Sequence, residues 1–103
     1  MPDLRRALEL LAEMDARLVA VGHGRDEASV AAARAFRATW PHDIAVVVDW
    51  PRTAASWLRP AQRLTAADAD AWVIADTPAG WANIERRLRE TESWDPMRTV
   101  ILR

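Results

Sequence analysis

Leu18-Val-Ala-Val-Gly-His-Gly-Arg-Asp26 starts as a short apolar run, breaks at a glycine, and passes within a few residues into a helical pattern. The same succession recurs twice. Ile44-Ala-Val-Val-Val48 gives way to Asp49-Trp-Pro-Arg52, and Trp72-Val-Ile-Ala75 to Asp76-Thr-Pro-Ala-Gly80. A fourth run, Thr99-Val-Ile-Leu102, closes the series. Continuous runs of this length, rich in Val and Ile, read as strands buried on both faces, as in parallel sheets. In an open parallel sheet, the residues that follow the strands line one edge, where ligands bind.

The intervening segments carry helical signals. Residues 3–15 place Leu4, Leu8, Leu11 and Met14 on one stripe. Asp26 can cap a helix whose inner face carries Val30, Ala33, Phe36 and Trp40, and Pro41 ends it. Trp57, Ala61 and Leu64 are spaced helically, but Pro60 lacks a donor, so this helix must be short or kinked. The polar, Ala-rich stretch 65–70 reads as a loop. Thr77-Pro78 is a helix start, with Thr as cap and Pro in the first turn. Trp81, Ile84 and Leu88 form that helix's inner stripe, and Glu85–Arg89 and Arg86–Glu90 are surface pairs. Ser93-Trp-Asp-Pro96 reads as a turn.

The expected fold is therefore α/β: three layers, αβα, with four parallel strands in the order 2-1-3-4, Rossmann-like or flavodoxin-like. Right-handed crossovers put helices on both faces. The switch point falls between strands one and three, so that Gly22–Asp26 and Asp76–Trp81 flank one crevice. A chain of 103 residues suffices for one domain, 1–103, and no linker or repeat divides it.

Composition excludes several chemistries. A formal charge of −1 argues against a nucleic-acid partner, which requires an excess of positive charge. No apolar stretch reaches the roughly 18 residues needed to span a bilayer, so no membrane insertion is expected. Without Cys there is no thiolate nucleophile or thiolate-ligated metal. All 14 basic residues are Arg, which removes lysine Schiff-base chemistry and the P-loop lysine. The three serines lie in no nucleophile elbow. No signal peptide is legible, and as written the chain is expected in the cytoplasm, or outside it if it is a piece of an exported protein.

The order and spacing of these elements resemble the second lobe of the type I periplasmic binding proteins, the branched-chain amino acid and amide binders of ABC transporters. The residues carrying the likeness are Arg17-Leu-Val-Ala-Val21 with its loop and Ala-rich helix, Val46-Val-Val-Asp49, Asp70-Ala-Trp-Val-Ile-Ala75, and Thr77–Glu90 with the final strand. It covers nearly the whole chain, as a likeness of element order rather than of an invariant motif. The resemblance implies a non-catalytic domain that binds a small amino-acid-like or amide-like solute in a cleft between two lobes, without cofactor or metal. It implies that Asp49 meets the ligand's ammonium group, whereas the residues alone allow Asp49 simply to cap the turn at Trp50-Pro51. The loop after the first strand lacks the aromatic residue that members often carry. The first lobe, which normally contributes much of the contact to the ligand's carboxylate, is not in this chain.

The expected ligand-binding residues are His23, Gly24, Arg25, Asp26, Asp49, Trp50, Asp76, Thr77 and Trp81. Trp50 and Trp81 follow strands two and three, where an exposed indole could stack on a flat or cationic ligand. Gly22 and Gly24 read as the requirement of a tight turn. Two alternatives remain: an enzyme with a His23, Asp26 and Asp76 site, or a protein-interaction module. A half-site would leave Trp50, Pro51 and the His23 loop partly bare, and the fourth strand has only Arg103 to guard its edge. The expected partners are thus a small-molecule ligand and either a second lobe or a self-associating copy.

Overall fold

The computed structural model describes residues 4–102. Asp3, expected to open the first helix, and Arg103, expected to guard the last strand, lie outside the described residues. The elements run α1 (Leu4–Glu13), β1 (Leu18–Gly24), α2 (Glu27–Thr39), β2 (Asp43–Trp50), α3 (Leu58–Ala66), β3 (Ala71–Ala75), α4 (Pro78–Leu88), a 3-10 turn (Pro96–Arg98) and β4 (Thr99–Ile101). The strands pair in parallel in the order β2-β1-β3-β4, as the sequence predicts.

Alternation along the strands divides the core in two. Val19, Val21, Val73 and Val100 face the side covered by α1 and α2, where Leu11, Phe36 and Trp40 fill the layer. Ala20, Val48, Trp72 and Ile74 face the other side, where Leu64, Trp81, Ile84 and Leu88 of α3 and α4 pack. Each of the larger buried side chains contributes roughly 1.5–3 kcal/mol through removal from water. Trp40 also stacks on Phe36 at 5.6 Å and donates its indole N–H to the Asp43 carbonyl at 2.9 Å, fixing the α2–β2 turn.

Several expectations are corrected. The run 44–48 is not buried on both faces, because β2 is an edge strand and only Val48 within the run is fully covered. β1 and β2 extend beyond the apolar runs, so Gly22, His23, Gly24, Asp49 and Trp50 are still paired in the ladder. Residues 65 and 66 belong to α3, which begins late enough for Pro60 to sit in its first turn, where no donor is needed. Val30 is only partly covered, while Ser29 and Ala32 join the buried face of α2. On α4, Glu85–Arg89 forms at 3.0 Å, but Arg87 rather than Arg86 meets Glu90, at 3.2 Å.

One irregularity determines what faces the crevice. Opposite Val19 and Ala20, the register on β2 jumps from Ile44 to Val46, leaving Ala45 as an extra residue. Such a bulge flips every later side chain to the opposite face. Trp50 consequently joins the α3/α4 core, and Asp49 lies beside His23 on the face of α2.

Candidate functional site

The strand order places the ends of β1, β2 and β3 together, and the helices α2 and α4 both begin there. Each start is capped as its sequence dictates. The Asp26 carboxylate accepts from the Ser29 backbone amide at 3.1 Å, and the Thr77 hydroxyl accepts from the Gly80 amide at 3.1 Å. Hydrogen bonding from Ser29, first through its side chain and then its amide, outweighs desolvation at Asp26. Together with the Arg52 charge it holds that carboxyl below its ordinary value of 3.8.

Between the two helix starts lies a cavity of about 580 Å³. Its base is a bond that spans the sheet. Trp50, only 1% exposed, leans from β2 over β1 and donates its indole N–H to Asp76 Oδ2 at 2.7 Å. The other Asp76 oxygen accepts from the Thr77 amide at 2.8 Å. All three glycines of the chain surround this pair. A Cβ on Gly22 would fall 2.7 Å from a Trp50 ring carbon, and one on Gly24 or Gly80 would strike the Asp76 carboxylate. None of the three has a positive φ. The turn explanation for Gly22 and Gly24 is thereby corrected: they are glycines because the indole and the carboxylate occupy the space of a side chain.

Of the nine predicted residues, Gly24, Arg25, Asp26, Trp50, Asp76 and Thr77 line the cavity. His23, Asp49 and Trp81 do not. His23 is on the opposite face of the sheet from Gly24, its Nδ1 donating to the Gly24 carbonyl at 2.6 Å. The Asp49 carboxylate is engaged by Arg25 Nη2 at 3.2 Å, a pair half exposed to water. Trp81 is buried against Trp94, their rings 6.3 Å apart. The expectation of a partly bare Trp50 indole is also corrected, since its ring closes the base and its N–H is taken. Among the described residues, no three His, Cys, Asp or Glu side chains gather in a metal-binding group.

Pro51, Arg52, Ala79, Gly80 and Asn83 complete the wall; the first four lie in the segments expected at the ligand edge, but none of the five was among the nine expected ligand-binding residues. Ala79 and Gly80 carried a signal, as first-turn residues of a helix that opens on the crevice. Asn83 lies one turn further along the same helix, at the i+4 spacing from Ala79. Arg52 stands directly after a strand end, which marked it as a crevice residue in position though not in type.

Fold and crevice together define an open α/β domain with a polar cavity at its switch point. No family model and no curated protein matches the chain. Among solved structures it is similar to an extracellular ligand-binding receptor from Rhodopseudomonas palustris, with a TM-score of 0.71 and 19% identity. The match covers 91% of this chain and 28% of that receptor, so the chain spans less than a third of the length of the protein it resembles. At this identity the likeness is one of fold.

Proposed function

We propose that this domain binds a small polar solute, of amino-acid or amide type, in the cavity between the starts of α2 and α4, and does not transform it. The carrying observation is the cavity itself: about 580 Å³ in size, at the carboxyl ends of the strands, with polar groups converging from three loops. The fold shared with a ligand-binding receptor supports the reading. Asp49 would serve by holding Arg25 against the crevice rather than by touching an ammonium group, since its carboxylate is already engaged at 3.2 Å. An enzyme built on His23, Asp26 and Asp76 is less favoured, because His23 does not line the cavity that Asp26 and Asp76 share.

Amide resonances of the isotopically labelled chain, followed during titration with a panel of free amino acids and primary amides, test the proposal. Saturable shifts at Gly24, Thr77, Ala79 and Gly80 are expected. No shifts with any member, or shifts confined to another surface, would refute it.

A further inference from the structure

The charged groups of the cavity are not equally available. Asp76 accepts from the Trp50 indole through one oxygen and from the Thr77 amide through the other. Asp26 accepts from the Ser29 amide and lies within the field of Arg52. Both carboxylates thus already have donors supplied by the protein. The arginines are less committed. Arg25 makes one bond, to Asp49, through a single Nη2. Arg52 makes no hydrogen bond or ion pair among the described residues, so its whole planar fork of donors stands open at the cavity wall.

The unmet capacity of the site is therefore that of cationic donors, which calls for a ligand with a planar, anionic, acceptor-rich end. We propose that Arg52, with Arg25 on the neighbouring loop, is the carboxylate anchor of this cavity, and that the domain recognises carboxylate-bearing solutes by itself. Guanidinium and carboxylate match as two parallel hydrogen bonds, a geometry that an ammonium or amide group cannot copy. The first turn of α4 faces the same space and favours negative charge there. This assigns to the present domain a contact that the resemblance to two-lobed binding proteins places on a first lobe. It rests on the crevice being a ligand site and goes further by fixing the ligand's chemistry.

Calorimetric titration with three matched probe sets tests it: amino acids, the same compounds as C-terminal amides, and the same as des-amino carboxylates. The intact chain should bind both carboxylate sets at least about tenfold more tightly than the amides, the scale of a lost charge-assisted bond. Arg52→Gln should abolish that preference, and Arg52→Lys should restore only part of it. Arg52 is exposed, so the thermal midpoint of either variant should match that of the parent. If amides bind as tightly as acids, or Arg52→Gln leaves acid affinity unchanged, the anchor is refuted while the ligand site stands. If no probe from any set binds, the anchor and the ligand-site reading fall together.

Discussion

Replacing Gly22 with Ala adds one methyl group, and the structure says where it goes. Its Cβ would lie 2.7 Å from Cη2 and 2.8 Å from Cζ3 of Trp50, and 3.2 Å from Cδ1 of Ile74. Carbon atoms pack best at about 3.5–4.0 Å, so the indole must retreat by most of an ångström. It cannot retreat freely, since its N–H is held by Asp76 at 2.7 Å. Overpacking of this kind costs about 1–3 kcal/mol. Part of a hydrogen bond to a charged acceptor, about 1.5–3 kcal/mol when whole, is lost with it. Gly22 has no positive φ, so no backbone strain is added, and the restricted unfolded chain returns about 0.4–1 kcal/mol. The net loss is about 2 kcal/mol, or on the order of 10 °C in Tm. Urea denaturation followed by far-ultraviolet circular dichroism measures it. The decisive comparison uses Trp50→Phe, which removes the outer ring atoms and the N–H. In that background Gly22→Ala should cost at least about 1 kcal/mol less than in the parent. Equal costs in the two backgrounds, within the roughly 0.5 kcal/mol expected of independent sites, would refute the packing of Trp50 over Gly22.

The brace and the caps give further expectations. Asp76→Ala and Trp50→Phe should be non-additive in the same denaturation assay, because each removes the same bond, and simple additivity would mean the 2.7 Å contact contributes nothing. Thr77→Ala should cost about 1 kcal/mol by freeing the Gly80 amide, and Thr77→Ser should recover most of it. Asp70 accepts from the Leu18 and Arg17 amides, each at 2.9 Å, and these two bonds, in that order, hold its carboxyl below 3.8. A depressed folded value means the contribution is complete above the unfolded value and disappears as pH falls through the folded one. Stability of the parent should therefore drop below about pH 4 more steeply than that of Asp70→Asn, by an amount kept modest by the solvent around this exposed group.

The layering of the fold was legible because the strands and helices announce themselves by different periods. The runs at 18–21 and 72–75 are central strands, where burial on both faces leaves an unbroken apolar signal. The caps at Asp26 and Thr77 were readable for a local reason, since a cap bonds to an amide only three residues away. Strand ends were harder. Gly22 and Gly24 resemble turn residues in composition, yet both stay in the ladder, and what selects glycine there is a ring and a carboxylate far away in the chain.

The placement of Asp49 and Trp50 shows where reading the site from sequence reaches its limit. Either residue could face the crevice, and their neighbours along the chain do not discriminate. The choice is made by Ala45, an unremarkable residue in an apolar run, which bulges and reverses the phase of the remaining strand. With the bulge, the indole points at Asp76 and closes the cavity base, while the carboxylate of Asp49 is left to hold Arg25. Without it, Asp49 would turn into the crevice and Trp50 toward α2, where no glycine makes room for its ring. The three glycines make sense only in the first arrangement. The bulge at Ala45 and the glycines at 22, 24 and 80 are therefore parts of one device. It fixes a hydrogen-bonded base beneath a cavity whose open donors belong to Arg25 and Arg52.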